Sequence, residues 1–169
     1  MEKFIEPLPH KPRWSPHIVF SWFGILLPPA IYFYLIYSYS LNLPFADDFA
    51  QLDETIRLVQ STNFSEKFSI IFAPHNEHRV VFNRLAFTLS YVLFDEIDFR
   101  ILAITGNIAL LALLFLFFKI LKTAHTNLLY FIPVSILLFQ LQFWKNMTWA
   151  ASALQNQYVL FLQDSPSIF

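Results

Sequence analysis

The stretch Ile18–Tyr39, IVFSWFGILLPPAIYFYLIYSY, decides the fold. It contains no Asp, Glu, Lys or Arg, and it lies inside a charge-free run of 33 residues between Arg13 and Asp47. At 1.5 Å rise per residue such a stretch makes a helix of about 33 Å, enough to cross a hydrocarbon core roughly 30 Å thick. Further along, Arg100 and Lys119 bracket 18 uncharged residues, Lys122 and Lys145 bracket 22, and Lys145 and Asp164 bracket another 18. The last run holds Ser152, Gln155, Asn156, Gln157 and Gln163, which makes it a poor span. The pattern predicts an all-α integral membrane protein. It has a tail over 1–17, transmembrane helices over 18–39, 101–121 and 128–144, and a candidate fourth membrane segment over 146–163. Residues 40–100 form an external loop of interfacial amphipathic helices.

Composition supports this class and removes others. The 169 residues are 56% hydrophobic, 19% aromatic and only 14% charged, against about 25% charged in a soluble domain. Two glycines and no cysteine exclude a Gly-rich phosphate loop, a thiolate metal site, a disulfide framework and a cysteine nucleophile. The 11 Lys and Arg are scattered singly around a net charge of −1, so there is no basic patch and nucleic acid is not an expected partner. The first apolar run is longer than a signal-peptide core and no A-x-A-like site follows, which predicts an uncleaved signal anchor.

Lysine and arginine placement predicts orientation. Lys3, Lys11 and Arg13 in the tail and Lys119 and Lys122 in the 119–127 loop put both on the cytoplasmic side, so that 40–100 is external. Pro28–Pro29 inside the first span must leave backbone carbonyls without helical donors, which neighbouring Ser or Tyr groups have to satisfy. Tyr32, Tyr34, Tyr37 and Tyr39, with the four tryptophans, fall near the expected membrane–water boundaries.

The external loop carries the groups with chemical potential. Residues 49–60 read as a helix with Leu52, Ile56 and Val59 on one face and Asp53, Arg57 and Gln60 on another. A second helix is expected over 80–94, with Arg84, Thr88, Tyr91 and Asp95 on one stripe and Val81, Leu85, Leu89 and Val92 on the other. Asp47 and Asp48, adjacent carboxylates just outside a span, suit a general base and a divalent-metal contact. The plainer alternative makes Asp48 and Gln51 a capping box for the following helix. His75-Asn76-Glu77-His78-Arg79 packs five polar groups between apolar stretches. His75 and His78 could share a helix face toward a metal, Arg79 and Arg84 match phosphate oxygens, and a solvated turn is the plain alternative. Glu77 and His78 join the aspartates only if the loop folds back on itself. Gln155, Asn156 and Gln157 could line a polar cavity between helices.

A first span with an external exit, an aspartate pair, a surface-lying helical loop and further spans resembles the start of GT-C type polytopic glycosyltransferases. His75-Asn76-Glu77-His78-Arg79 with Asn83-Arg84-Leu85, and Trp144-Lys145-Asn146-Met147-Thr148-Trp149, are similar to patterns of bacterial members. The resemblance covers roughly residues 15–160. It implies an enzyme of the bacterial inner membrane that takes a sugar from a polyprenyl-phosphate donor on the external face. It maps the family's base or metal-contacting aspartate onto Asp47 or Asp48, with Mg or Mn as the implied ion. It assigns substrate and phosphate contacts to His75, Glu77, His78, Arg79 and Arg84. Such enzymes have many more spans than three or four, and Asp164 to Phe169 breaks the last apolar run, so this chain is expected to be the amino-terminal part of one, inactive alone. The rival expectation is a small multi-pass protein without chemistry that packs against a partner membrane protein or transporter.

Overall fold

The computed structural model describes residues 15–74, 80–124 and 126–164, with side chains through 159. Eight α-helices follow one another among the described residues. They are α1 (Pro16–Tyr39), α2 (Asp48–Gln60), α3 (Phe64–Phe72), α4 (Val81–Phe94), α5 (Phe99–Thr123), α6 (Ile132–Leu138), α7 (Trp144–Thr148) and α8 (Ala150–Asp164). Three segments are long and apolar enough to cross a membrane: α1, α5, and the stretch Leu128–Thr148 that contains α6 and α7. The protein is an all-helical, multi-pass membrane protein by these helices.

Local chemistry accounts for three of the helix starts. Pro16 starts α1, where its missing N–H costs nothing. Asp98 caps α5 by accepting from the Ile101 N–H at 3.0 Å, and Asn63 caps α3 by accepting from Ser65 at 3.0 Å. Inside α1, Pro29 cannot donate to the carbonyl of Ile25. The Ser135 hydroxyl of α6 donates to that carbonyl at 2.7 Å. Beside it, a Cβ on Gly24 would come within 2.7 Å of Ile132 Cδ1, so glycine is what admits α6 there. Proline, serine donor and glycine gap thus form one α1–α6 joint.

The third span departs from expectation. A single helix over 128–144 was expected from its apolar run, but the structure divides it. A 3-10 turn over Leu128–Phe131 leads into α6, the chain leaves the helix at Phe139–Gln140, and a second 3-10 turn precedes α7. Neither Pro nor Gly marks the interruption. The contact present there is tertiary: the buried Phe139 ring meets Tyr32 edge-on, with centroids 5.3 Å apart.

Small residues seat α8 against α5. A Cβ on Gly106 would lie 2.5 Å from the Ala153 carbonyl carbon, and Ala103, Ala153 and Leu154 are fully buried. Close backbone approach of this kind is how helices associate where the surrounding lipid is as apolar as they are. Asn107 adds a polar tie, donating to the carbonyls of Ala103 and Met147 at 2.8 Å each while accepting from the Tyr32 hydroxyl. That one side chain joins α1, α5 and the end of α7.

The loop helices bury part of their polar residues. In α2 the buried positions are Asp48, Gln51, Thr55 and Leu58, while Ile56 and Val59 are exposed. In α4 they are Asn83, Arg84, Phe87 and Ser90, while Leu85, Leu89 and Val92 are exposed. The expectation that the polar stripes face water or a cavity is corrected at Arg84, which is sealed against protein, while Asp53, Arg57 and Gln60 of α2 and Tyr91 and Asp95 are exposed.

Candidate functional site

The carboxy-terminal end of α1 leads into a short loop that places Asp48. Ala46 adopts a left-handed backbone, φ 48°, which an L-residue visits at a cost of roughly 1–2 kcal/mol. The turn it makes is closed from both sides: Asp48 N–H donates to the Phe45 carbonyl at 3.0 Å, and Phe45 N–H donates to Asp48 Oδ2 at 3.0 Å. The other carboxylate oxygen, Oδ1, accepts from the Ala151 N–H of α8 at 2.9 Å, 103 residues away. The carbonyl of Ala151 accepts from Asn83 Nδ2 of α4 at 2.9 Å. One residue of α8, Ala151, is thus gripped at its N–H by Asp48 and at its carbonyl by Asn83.

This geometry corrects the capping-box alternative. Asp47, not Asp48, occupies the N-cap of α2, and neither carboxylate caps the helix through its side chain. Asp48 instead turns inward and is 1% exposed, whereas Asp47 is exposed. Burial pushes the Asp48 carboxyl above its ordinary 3.8; the backbone N–H bonds from Phe45 and Ala151 and the nearby Trp149 side chain pull it partly back, and the Asp47 charge next door pushes it up. The Trp149 indole nitrogen is buried beside this carboxylate without a well-aligned hydrogen bond.

Asp48 lines a cavity of about 420 Å³ together with Phe45, Phe99, Trp144, Lys145 and Trp149. Its walls are aromatic and aliphatic: Phe45 meets Trp149 edge-to-face at 5.5 Å, and the Lys145 ammonium sits over the Trp144 ring at 5.8 Å. A carboxylate and an ammonium in one apolar cavity give it a proton acceptor and a cation.

The remaining candidates are distributed differently. Arg84 is fully buried and pairs with Glu54 through two donors, Nε to Oε2 and Nη2 to Oε1, the latter at 2.8 Å. Its Nη1 donates to the carbonyls of Ile71, at 3.0 Å, and Ala73, where α3 ends. The guanidinium holds α3, α2 and α4 together and does not line the Asp48 cavity. His75, Glu77, His78 and Arg79 lie outside the described residues. Among the described residues no three His, Asp or Glu side chains converge. Both Asp48 oxygens already accept backbone N–H groups, so the two aspartates do not by themselves form the six- to eight-oxygen shell of Ca²⁺ or the octahedral one of Mg²⁺.

A second cavity, also about 420 Å³, lies between the spans and is lined in part by Tyr32, Gln140, Asn146, Asn156 and Gln157. Two of the three amides expected to line a cavity, Asn156 and Gln157, do so. Sequence reasoning missed Lys145 and Trp149 as partners of Asp48. The available signal was the run Trp144–Trp149, where one lysine stands between two tryptophans. No family model, curated protein or solved structure matches this chain.

Proposed function

We propose that this chain carries the base-bearing external site of a membrane glycosyltransferase that draws sugar from a polyprenyl-phosphate donor. The observation that carries the reading is the buried Asp48 carboxylate in an apolar cavity, at the exit of the first span, with Lys145 on the same wall. A carboxylate whose pKa is pushed up holds a proton more readily, which suits it to accept one from an acceptor hydroxyl. As that proton passes to Asp48, the hydroxyl oxygen bonds to the sugar's anomeric carbon. The bond from that carbon to the phosphate oxygen breaks, and polyprenyl phosphate leaves with the electron pair. The Lys145 ammonium offsets the charge that grows on the leaving phosphate. In this reading Lys145 takes the phosphate role first given to Arg84, and Asp47 only raises the proton affinity of its neighbour. The tail and the 119–127 loop face the cytoplasm of a bacterial inner membrane, and the site opens outside.

The test is sugar transfer in membranes by the protein and its variants, with polyprenyl-phosphate sugar as donor. Asp48→Asn should lose transfer by about 10²–10⁴-fold, the usual contribution of a general base, while Asp47→Asn stays within a few-fold of wild type. Undiminished transfer by Asp48→Asn would sink the reading.

One observation favours a second reading, a non-enzymatic subunit that packs against a partner membrane protein. Both Asp48 oxygens are occupied by backbone donors, as a purely structural staple requires. Asn83→Ala separates the two, because it releases the same residue, Ala151, without touching the cavity. If Asn83→Ala and Asp48→Asn destabilise the protein alike and a stoichiometric membrane partner copurifies, the staple reading stands. If Asn83→Ala keeps transfer and Asp48→Asn loses it, Asp48 acts chemically.

A further inference from the structure

We infer that the outward faces of α3 and α4 are immersed in the acyl chains of the leaflet where α1 ends, so that lipid is what covers them. The inference concerns the loop's surroundings and does not depend on the transfer chemistry.

The first observation is on α3. Phe64, Phe68 and Phe72 recur at i, i+4 and i+8 on one helical face, and all three are exposed, Phe64 by 81%. The rings of Phe68 and Phe72 stack at 4.5 Å. The polar residues of this helix stand elsewhere: Glu66 accepts from the Ser61 hydroxyl at 2.8 Å, and Lys67 is half-buried. A ladder of three phenylalanines facing outward has no reason to persist in water.

The second observation is on α4 and is independent of the first. Its exposed side chains include Phe82, Leu85, Leu89, Val92, Leu93 and Phe94. Its one charged residue, Arg84, is fully buried and spent on Glu54 and two carbonyls. Asn83 donates to Ala151 and Ser90 donates to the Glu96 carbonyl at 3.2 Å. A helix resting on a bilayer surface keeps a charged face toward water. On α4 the charged group is closed off by protein, which leaves apolar side chains and the ring of Tyr91 outside. Such inverted polarity is the arrangement hydrocarbon demands, because polar groups there must find partners within the protein.

Continuity identifies the occupant. Four residues, 95–98, join α4 to the span α5, whose Ile101, Ile108, Leu111 and Phe115 are exposed in turn. At the other end, α1 exits through exposed Tyr37, Tyr39, Leu41 and Leu43. The apolar exterior of the loop therefore continues that of the spans. The water-facing groups are on α2, where Asp53, Arg57 and Gln60 are exposed, and in the 95–98 connection, where Asp95 and Glu96 are exposed.

The chain contains no cysteine, so Phe68→Cys, Leu89→Cys and Asp53→Cys each accept a single environment-sensitive fluorophore. In phosphatidylcholine–phosphatidylglycerol liposomes, labels at 68 and 89 should emit blue-shifted light and be quenched severalfold when the lipids carry a mid-chain nitroxide. The cysteine at 53 should instead react with a membrane-impermeant maleimide added from its side, and its label should escape quenching. A variant-free arm uses the natural chain in liposomes with an acyl-chain diazirine lipid, where peptides within 64–72 and 81–94 should carry cross-linked lipid. Absence of quenching at both 68 and 89, or absence of lipid adducts on both helices, overturns the inference. In that case maleimide reactivity at 68 and 89 means water covers the faces, and its absence means another protein surface does.

Discussion

Asp48 stands at the first position of α2, yet its carboxylate is held by a backbone group in α8. An unfolded chain's aspartate titrates near 3.8, and burial moves this one up. The folded state therefore favours the protonated form, and that stabilisation is fully present below 3.8 and lost as pH rises through the folded pKa. The proposed transfer requires the opposite form. Acidification from neutral pH through the folded pKa should raise the thermal midpoint of wild type relative to Asp48→Asn, while transfer by wild type falls over the same window. Parallel thermal shifts in the two proteins would show that Asp48 does not titrate there. At this scale the sequence singled out the aspartate pair, because two adjacent carboxylates at a span exit are rare neighbours for lipid. It could not choose between them. That choice rests on Phe45 and Ala151 N–H groups, one local and one remote, which orient Asp48 inward and leave Asp47 outside.

Helices were legible where lipid imposes a length and an absence of charge, as in α1 and α5. The third span was legible as an apolar run but its division was not, because the break at Phe139–Gln140, where the Phe139 ring meets Tyr32 of α1, carries no proline or glycine signal. The α1–α6 joint offers a test at this scale. Ser135→Ala leaves the Ile25 carbonyl, already freed by Pro29, without a donor. It should lower the thermal midpoint in detergent, and the loss should shrink in a Pro29→Ala background, where the helix regains its own donor. The coupling expected from the cycle is about 0.6–1.7 kcal/mol, the range for hydrogen bonds between membrane helices. Equal losses in both backgrounds would mean that the serine does not serve the proline. Gly106 makes a second joint: a methyl there meets the Ala153–Leu154 backbone, which cannot move as a flexible side chain could. Gly106→Ala should cost about 1–3 kcal/mol in the same assay, as overpacking does.

For the whole molecule, the Glu54–Arg84 pair connects the loop helices to one another and permits their apolar sides to face outward. Glu54→Gln leaves a fully buried guanidinium without its counter-charge, which should cost about 3–5 kcal/mol. Replacing both partners together, Glu54→Leu with Arg84→Met, should restore most of the thermal midpoint, since no uncompensated charge remains. A double variant no more stable than Glu54→Gln would assign Arg84's value to its bonds with Ile71 and Ala73 instead.

The sequence by itself determined the class of this protein, three apolar spans and a helical loop, because hydrocarbon admits few backbones and forbids unpaired charge. Charge-free length and stripe periodicity are local properties, and both can be counted along a chain. Only the tertiary structure decided which aspartate is buried, that Lys145 and Trp149 share its cavity, and that Arg84 is spent within the fold. Those outcomes depend on which backbone N–H or carbonyl group meets a side chain across tens of residues, and no local pattern encodes that meeting.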